Sequence, residues 1–336
     1  MSIRVADAAA IAEAARLLAA GELVAFPTET VYGLGARALD PAALARIFAA
    51  KGRPATHPLI AHVADATGAE ALTTRWDARA ARLAARFWPG PLTLIVPRAP
   101  SVPAELSGGK PTVAVRAPAH PVAQALLRAL GEPIAAPSAN RYQTLSPTTA
   151  QHVVRSLGAA VPLVLDGGPC AAGLESTVLD LTVEPPRLLR PGALPLSELR
   201  QALPELQLGA AVVVDEAERH SPGQDEVHYA PRAPLRLYSR AGAIAAAIAH
   251  GRGAALLLRG ERADSAATAD SADLAHVPAT VRVVSLPDDA KAYGYALFAT
   301  LHALDDAGVT LIAVEAPPAD EAWLAVADRL TRASHR

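Results

Sequence analysis

The sequence predicts a two-domain α/β protein, and three observations lead to this fold class. The chain has 336 residues, a length that suits two domains better than one. It is 51% hydrophobic and 19% charged, which is the composition of a folded chain. Short β-rich segments alternate with helical patterns along most of its length. We expect an N-terminal domain over residues 1–207, a polar, Pro-rich linker over 208–232, and a smaller domain over 233–336.

The elements of the first domain follow from capping residues and apolar runs. One helix is predicted from Asp40-Pro41 through Ala50, and others over residues 77–88 and 120–130. A further helix is predicted from Ser146-Pro147 to Gly158. The predicted strands are, in order, ELVAFPT, PLIAHV, LTLIVP, TVAVRAP, IAAPSAN, VPLVLDGG, STVLDLT and RLLRPG. This alternation predicts an α/β domain.

The second domain begins at Ala233 and alternates more regularly. The predicted strands are PLRLYS, GAALLLRG, TVRVVSLP and VTLIAVEAP. An alanine-rich helix follows the first strand, a long helix spans residues 289–306, and a last helix spans 320–333. Strands separated by helices favour parallel pairing, so we expect a small, doubly wound, Rossmann-like sheet.

Composition and charge exclude several classes of protein. No uninterrupted apolar run reaches the ~18 to 20 residues of a membrane span. The helical period at the N-terminus is interrupted by Asp7, Glu13 and Arg16, and no cleavage site follows, so we expect a soluble, cytoplasmic protein. Cys170 is the only cysteine, which excludes an internal disulfide and predicts a small buried side chain. A formal net charge of −2 gives no global field for nucleic acid.

Residues 26–63 place many polar groups between apolar runs. The sequence GLG in this stretch is not a dinucleotide fingerprint, because the third glycine is missing, and the chain has no G-x-x-x-x-G-K-[ST] loop. Any nucleotide site must therefore be built differently. Lys51 and Arg53 follow a predicted helix end and precede a strand, so they are candidates to bind phosphate or carboxylate at a sheet edge.

Polar residues also follow three later strands. Arg116 lies in TVAVRAP, and an arginine buried in a valine-rich strand is costly unless an anion pairs with it, a role that a bound carboxylate would fill. Ser138, Asn140 and Ser146 follow a strand of small residues that allows a ligand to approach the backbone. Ser146 is also a candidate helix N-cap. Ser176, Thr177 and Arg190 add further donors at strand ends.

In this order, the motifs PTETVYGLG, KGRP…HPLIAHV, FWPGPLTLIV, TVAVRAP, APSAN…LSPT, ESTV, LRPG and SPG…HYAP resemble the Sua5/YciO/YrdC family. With the additional C-terminal domain, the chain is similar to the longer Sua5 type over residues 3–333. The resemblance implies a YrdC-like twisted mixed-sheet domain followed by a smaller Sua5 domain. It also implies synthesis of L-threonylcarbamoyl-AMP from L-threonine, bicarbonate or CO2 and ATP, with release of pyrophosphate. The product would serve N6-threonylcarbamoyladenosine formation at position 37 of tRNA.

The resemblance further implies roles for individual residues. The positions that match the family's threonine site are Thr30, His62, Arg116, Ala136 and Ser176. The positions that match its ATP or adenylate site are Arg53, His57, Thr112, Ser138, Asn140, Ser146, Arg190 and Tyr229. Lys51 and Arg53 are the expected catalytic residues, because charge gathers on the phosphates during transfer. Mg²⁺ is the expected cofactor, with ligands that the sequence leaves unassigned.

Two features leave questions open. Glu29 is the only carboxylate in the leading motif, and it is expected either to orient water on magnesium or to bond to backbone amides. Between SPG and HYAP the family places basic and aromatic residues, whereas this chain has acidic residues within 224–227. If this linker covers ATP, its contacts are expected from the backbone, His228 and Tyr229, with Asp225 and Glu226 dispensable.

The expected partners are ATP, L-threonine and bicarbonate, a separate tRNA threonylcarbamoyl transferase complex that takes the product, and at most weak RNA binding. One alternative is a carbamoyl-adenylating enzyme like the related domain of hydrogenase maturation factors, whose zinc-finger cysteines and acylphosphatase segment are absent here. A double-stranded RNA-binding protein is the second. A regulatory protein with an inactive site is the third, and the intact KGR and SAN motifs weigh against it. Threonine-dependent release of pyrophosphate from ATP separates these alternatives.

Overall fold

The structure is a computed structural model that describes residues 2–209, 229–260 and 274–335. These residues form two compact units. The N-terminal unit holds the described residues up to 209 except for 143–145, which belong with the C-terminal unit. The predicted α/β class is confirmed, because the first unit contains a large mixed sheet and the second a small parallel sheet. Most of the predicted linker, including residues 224–228 of the expected lid, lies outside the described residues.

The strands of the described residues are β1 (Ser2–Val5), β2 (Val24–Phe26), β3 (Gly33–Arg37), β4 (Ile60–His62), β5 (Leu92–Pro97), β6 (Thr112–Arg116), β7 (Ile134–Ala135), β8 (Leu163–Asp166), β9 (Thr177–Asp180), β10 (Arg187–Arg190), β11 (Gln207–Leu208), β12 (Leu235–Tyr238), β13 (Ala254–Arg259), β14 (Arg282–Leu286) and β15 (Leu311–Glu315).

The α-helices of the same residues are α1 (Ala8–Ala19), α2 (Pro41–Lys51), α3 (Ala66–Glu70), α4 (Ala78–Phe87), α5 (Ala104–Ser107), α6 (Pro121–Leu130), α7 (Ala150–Leu157), α8 (Leu196–Ala202), α9 (Arg240–His250), α10 (Ala290–Asp306) and α11 (Leu324–Ser334). Short 3₁₀ turns follow α7, over Gly158–Ala160, and precede α11, over Glu321–Trp323.

The N-terminal unit is built on an eleven-stranded mixed sheet with the order β1-β8-β2-β3-β7-β4-β6-β5-β9-β10-β11. Helices α1 and α6 bury their apolar faces in one core cluster, to which Leu18, Leu127 and Leu163 contribute. Burial of such side chains stabilises the unit by about 1.5 to 3 kcal/mol each. Strands β4 and β6 are parallel neighbours near the middle of the sheet, so their carboxyl ends deliver side chains to one edge.

Local capping chemistry explains the helices that the sequence predicted well. Asp40 accepts from the backbone N–H groups of Ala42 and Ala43 at 2.9 and 3.2 Å, and Gly52 ends α2 with a left-handed φ of 63°. The helix predicted from Ser146 was wrong at its start. It begins at Ala150, and Thr149 is the N-cap because its side chain accepts from the N–H of His152.

The GLGAR segment is strand β3. The sequence analysis rejected its GLG as a dinucleotide fingerprint but did not predict a strand there. Strand β3 pairs with β2 on one side and with β7 on the other, both antiparallel. A Cβ atom at Gly35 would lie 2.8 Å from the Phe26 ring and 3.0 Å from Ile134 Cγ2. This glycine therefore allows two neighbouring strands to pack closely and is not part of a nucleotide loop.

The C-terminal unit contains the small parallel sheet of four strands that the sequence predicted, and the structure gives its order as β12-β15-β13-β14. Helix α9 packs on this sheet through Ala243 and Ala247, which join Leu256 and Leu258 of β13 in one apolar cluster. The last predicted helix is divided, because a 3₁₀ turn at Glu321–Trp323 precedes α11. Within the described parts of the chain, no helix combines the length and the apolar character needed to cross a membrane.

Candidate active site

The end of β6 carries an arginine that is paired with a carboxylate of the protein itself. The side chain of Arg116 is 4% exposed, and its Nη2 lies 2.6 Å from Oε1 of Glu29, which is 14% exposed. Arg116 Nε donates to the carbonyl of Gly90 at 3.2 Å. The other oxygen of Glu29 accepts from the backbone N–H of Ala119 at 2.9 Å.

This pairing changes the reasoning for Arg116 and Glu29. The sequence argument required an anion beside the buried charge of Arg116 and named a bound carboxylate for that role; in the structure, Glu29 is an anion that pairs with it. Of the two roles left open for Glu29, bonding to a backbone amide is the one observed. Any ligand at Arg116 must therefore use the donors that Glu29 and Gly90 leave.

His62 lies beside Arg116, because the parallel register of β4 and β6 pairs these two residues. Its Nδ1 is 3.3 Å from the carbonyl of Ile60, and its ring meets Phe26 edge-on at a centroid distance of 6.4 Å. Burial, together with the charge of Arg116, lowers the pKa of His62 from 6.5 to about 3. The imidazole is therefore neutral near pH 7 and adds no second positive charge beside Arg116.

The hydroxyl groups of Thr28 and Thr30 have a defined direction. Thr28 Oγ1 lies 2.6 Å from the carbonyl oxygen of Val31 and 2.8 Å from Oγ1 of Thr30. A carbonyl only accepts, so the hydroxyl proton of Thr28 points towards Val31. The contact between the hydroxyls must then use the proton of Thr30. Thr30 consequently presents lone pairs, which suit an amine or hydroxyl donor on a ligand.

Lys51 ends α2 and reaches the SAN segment. Its Nζ donates to the carbonyls of Ser138 and Asn140 at 2.5 and 2.6 Å, and the residue is 3% exposed. Burial, followed by the charge of Arg53, lowers the pKa of Lys51, whereas the two carbonyl acceptors favour the ammonium form. Lys51 therefore holds the backbone on which the predicted ATP residues Ser138 and Asn140 lie.

Arg53 and His57 share an aromatic neighbour. The Arg53 guanidinium carbon lies 5.9 Å from the centroid of the Tyr142 ring, and the His57 ring meets the same ring at 5.5 Å and 76°. Arg53 Nη2 also donates to the carbonyl of Pro58 at 3.2 Å. The predicted ATP residues Arg53 and His57 thus both pack against Tyr142, which the sequence analysis did not single out.

The ESTV segment gathers the donors that the sequence placed far apart. Ser146 Oγ donates to Oε1 of the buried Glu175, which explains why Ser146 is not a helix cap. The next residue, Ser176, shares a hydrogen bond of 2.8 Å with Thr93 Oγ1. Arg190 donates from Nη2 to the carbonyl and hydroxyl oxygens of Ser176 at 2.9 and 3.0 Å. The structure therefore brings the predicted threonine residue Ser176 together with the predicted ATP residue Arg190.

Two predicted residues have distinct positions. Ala136 is 5% exposed, and a Cβ atom added to Gly33 would lie 3.1 Å from the Cβ of Ala136, so the backbone of Gly33 passes close to this side chain. Thr112 begins β6 at the end opposite to Arg116, about 13 Å away along the strand. Within the described ranges, Thr112 makes no hydrogen bond to another predicted site residue.

Tyr229 belongs to the C-terminal unit, where its ring is buried. It lies 5.8 Å from the Phe298 ring, and the guanidinium carbon of Arg329 lies 4.9 Å from its centroid. Its φ of 60° is in the left-handed region that side chains rarely adopt. The structure thus gives Tyr229 a packing role in this unit, and its contact with ATP stays a prediction.

Sequence reasoning missed Glu175 and Tyr142, although each lies inside a quoted motif or next to one. The available signal was weak, because a glutamate and a tyrosine in such positions have ordinary structural roles as well. Cys170 agrees with its predicted role: it is 1% exposed, and burial raises the pKa of its thiol.

Magnesium has no site made of protein carboxylates alone in the part of the chain that the structure describes. No three His, Cys, Asp or Glu side chains come together there as a metal-binding group. The carboxylates that contact predicted site residues, Glu29 and Glu175, bond to Arg116 and to Ser146. Mg²⁺ usually retains waters and binds through one or two carboxylates and substrate phosphates, and the expected Mg²⁺ stays a prediction here.

Comparisons with known proteins agree with this arrangement of motifs. A family model described as telomere recombination, that of the Sua5/YciO/YrdC proteins, matches residues 16–192. A second model, described as the C-terminal domain of threonylcarbamoyl-AMP synthase, matches residues 194–335. The two models follow each other with one residue between them and together span most of the chain.

Two curated relatives are called threonylcarbamoyl-AMP synthase. The protein of Pyrococcus abyssi is 50% identical over 225 residues, which are 66% of this chain and 66% of the relative. That of Bacillus subtilis is 46% identical over 228 residues, which are 68% of this chain and 66% of the relative. The aligned segment is thus about two thirds of the length of each relative.

Structural similarity to a solved protein covers more of the chain than these sequence alignments do. A crystal structure of Pyrococcus abyssi Sua5 complexed with L-threonine matches with a TM-score of 0.84 and 40% identity, covering 97% of this chain and 94% of that chain. The likeness therefore includes both units and confirms the resemblance seen in the sequence motifs. The chain belongs to the Sua5/YciO/YrdC family.

Proposed function

We propose that this chain is an L-threonylcarbamoyl-AMP synthase, which joins L-threonine, bicarbonate or CO2 and ATP and releases pyrophosphate. The observation that carries the proposal is the surroundings of Arg116. A buried guanidinium is held by Glu29 and Gly90, a neutral imidazole lies beside it, and a threonine hydroxyl elsewhere in the PTET segment presents lone pairs. This set of groups suits a small amino acid with a carboxylate and an amine. The relatives that carry this name, and the crystal structure of Pyrococcus abyssi Sua5 complexed with L-threonine, support the assignment.

The threonine side would work by positioning. Arg116 would bind the substrate carboxylate, Thr30 would accept from its amine or hydroxyl, and Ala136 would limit the size of the side chain. His62 and Ser176 would complete this site as neutral groups. Holding the amine close to CO2 converts an encounter in solution into a reaction between neighbours, which accelerates the step without a protein nucleophile.

The chemistry has two steps. The lone pair of the neutral amine forms a C–N bond to the carbon of CO2, and the nitrogen loses a proton to give a carbamate. A carbamate oxygen then forms a bond to the α-phosphorus of ATP while the bond from that phosphorus to the bridging oxygen breaks. Pyrophosphate leaves with the electron pair. Both reactants of the second step are anions, so cationic groups around the phosphates would lower its barrier.

The phosphate side is proposed to consist of Lys51, Arg53 and Arg190, with His57, Thr112, Ser138, Asn140 and Ser146 completing the ATP contacts. Lys51 and Arg190 are fixed by backbone carbonyls, of Ser138 and Asn140 in one case and of Ser176 in the other. Cations that are already held in place need little reorganisation when charge develops on the phosphates. This supports a role in transition-state stabilisation.

Mg²⁺ is proposed as part of the MgATP substrate. It would supply charge neutralisation on the phosphates, and its protein ligands would be few. The product is proposed to pass to a separate tRNA threonylcarbamoyl transferase complex. We also propose that the linker over residues 208–232 covers bound ATP and that Tyr229 contacts the nucleotide.

The decisive experiment measures pyrophosphate release from ATP by the full chain, with and without L-threonine and bicarbonate, and identifies the product by mass spectrometry. We expect release that requires both, and a product with the mass of threonylcarbamoyl-AMP. Pyrophosphate release that requires carbamoyl phosphate and does not depend on threonine would indicate a carbamoyl-adenylating enzyme instead. Salt-dependent affinity for double-stranded RNA without threonine-dependent release would overturn the synthase proposal.

A further inference from the structure

We infer that Glu29 is a positioning residue, which orients the Arg116 guanidinium so that its remaining face binds the carboxylate of the substrate. The inference rests on the proposed function, because it concerns the same threonine site. Glu29 is not among the residues that the family motifs assign to threonine or ATP. Its role follows from how the donors of Arg116 are divided among acceptors.

An arginine side chain offers five N–H donors in a planar fork, so fixing two of them fixes the rest. Nε of Arg116 donates to the Gly90 carbonyl, and Nη2 donates to Glu29. Nη1 has no hydrogen-bond partner among the described residues, yet it is not one of their buried unpaired atoms. Nη1 therefore reaches accessible space, and its direction is set by the two bonds already made.

Glu29 is itself fixed, which allows it to fix Arg116. One carboxylate oxygen bonds to Arg116 and the other accepts from the N–H of Ala119 in the loop after β6. The backbone carbonyl of Glu29 accepts from the N–H of Ala172 at 2.7 Å. Two segments distant in the sequence, residues 116–119 and Ala172, thus determine where Glu29 lies, and through its carboxylate where the Arg116 fork points.

Charge compensation explains why an acid is needed here. A lone buried guanidinium would rotate towards any available carbonyl, and its burial would be costly. The ion pair removes that cost while occupying only part of the fork. His62 cannot repel or replace the guanidinium as a second cation, because it is neutral. The site therefore keeps one oriented donor group for an incoming carboxylate.

The experiment compares Glu29→Gln and Glu29→Ala with wild type in the full chain. Calorimetry measures the affinities for L-threonine and for L-threonine amide, which lacks the carboxylate charge, and steady-state assays measure KM for threonine and for ATP. We expect threonine affinity to fall about tenfold in Glu29→Gln and further in Glu29→Ala, while KM for ATP stays within about twofold. The preference for threonine over its amide should fall by a similar factor.

A matched control exists in the same unit. Glu132 pairs with Arg37 through two hydrogen bonds of 3.0 Å, but this pair is partly exposed, and neither side chain bonds to a predicted site residue among the described residues. Glu132→Gln should leave both affinities unchanged. Thermal unfolding of all variants separates lost folding from lost positioning, and Glu29→Gln, which keeps one acceptor, remains informative if Glu29→Ala does not fold.

The outcomes distinguish the two levels of the proposal. If wild type shows no threonine-dependent pyrophosphate release, the proposed function fails and Glu29 with it. If wild type is active and Glu29→Gln keeps the full preference for threonine over its amide, only the positioning role of Glu29 is overturned. A parallel loss of threonine and ATP affinity, with a lowered melting temperature, would assign Glu29 a structural role and also overturn the inference.

Discussion

Each unit of the chain contains a buried network of arginine and glutamate at the end of a central strand, and the two networks are organised in opposite ways. In the N-terminal unit the buried group is Arg116 at the end of β6, and Glu29 satisfies part of it. In the C-terminal unit the buried group is Glu315 at the end of β15, and two arginines converge on it. The same residue types therefore produce one open and one closed arrangement.

In the closed network, groups of two arginines surround the carboxylate of Glu315. Glu315 accepts from Nη1 of Arg240 at 2.9 Å and from the backbone N–H of Arg259 at 3.0 Å, and Nη2 of Arg259 lies 3.6 Å away. Arg259 also pairs with Asp288 and lies over the ring of Trp323 at 5.6 Å. Two positive and two negative side chains balance each other here, so this strand end has no excess charge for a ligand.

A buried arginine–glutamate pair can bind a ligand only if one of its members keeps hydrogen-bonding groups that the protein does not use. An arginine with a free N–H at an accessible position can recognise an anion, whereas a carboxylate whose charge is balanced by two arginines offers no net charge to a cation. Strand ends in parallel sheets are common ligand sites, yet only one of these two networks fits that use. Substitutions in both units test whether the two networks differ in this way.

The largest effect is expected for Arg116→Ala, which should abolish threonine-dependent turnover. Losing a partly desolvated guanidinium–carboxylate contact should cost about 2 to 5 kcal/mol of threonine binding. Calorimetry with L-threonine measures this directly, and ATP binding is the internal control. Near-normal threonine affinity in the variant would show that the open network is not the carboxylate site.

A smaller effect, on stability alone, is expected for Glu315→Gln. Removing one partner of a buried ion pair typically costs about 3 to 5 kcal/mol, and we expect about 2 kcal/mol because Arg240 and Arg259 are about one quarter exposed. Denaturant unfolding measures the loss, and threonine affinity should not change. A drop in threonine affinity without a loss of stability would contradict the closed network.

The open network should also make stability depend on pH through His62. Its pKa in the folded protein is about 3, below the ordinary value of 6.5, so the unfolded chain binds an extra proton between these values. The free energy of unfolding should therefore fall by about 1.4 kcal/mol for each unit below pH 6.5, and this contribution should be flat above it.

Unfolding in urea between pH 5 and pH 8 tests this slope in wild type and in His62→Asn, which should lose it. The exposed His276 offers a matched control in the C-terminal unit, and His276→Asn should keep the wild-type slope. An unchanged slope in His62→Asn would mean that another group is responsible.

The fold and the site were predictable to different degrees. Helix α2 was predictable because its signals are local: Asp40 caps one end and Gly52 ends the other. The start of α7 was not, because Ser146 and Thr149 are equally good caps by residue type. The choice is made by Glu175, a tertiary partner that takes the Ser146 hydroxyl.

The same limit applies to the charged residues. The sequence identified Arg116 as a buried cation that needs an anion, which is a general rule of burial. It could not identify Glu29 as that anion, because the two residues meet only when the PTET segment and the end of β6 come together in the sheet. In the C-terminal unit, the sequence analysis did not single out Glu315, because a single glutamate is common at the end of an apolar strand.

The smallest effect on stability is expected from removing a tyrosine hydroxyl, of which each unit offers one for comparison. Tyr293 is 1% exposed, and its Oη has no hydrogen-bond partner among the described residues. Burial, followed by the charge of Glu315, raises the pKa of Tyr293, so its hydroxyl keeps a proton with no acceptor. Tyr32 is the counterpart in the N-terminal unit, and its hydroxyl donates to the carbonyl of Gly168 at 2.8 Å.

Tyr293→Phe keeps the ring, which meets Trp323 at a centroid distance of 5.3 Å, and removes only the unpaired hydroxyl. A buried donor without a partner costs about 1 to 3 kcal/mol, and the small space left behind offsets part of the gain, so we expect stabilisation by about 1 kcal/mol. Tyr32→Phe should instead destabilise by about 1 kcal/mol, because it breaks a hydrogen bond and leaves an acceptor behind. Urea unfolding of both variants measures the two signs. If Tyr293→Phe loses stability as Tyr32→Phe does, the Tyr293 hydroxyl has a bonding partner, and the closed network extends further than its arginines.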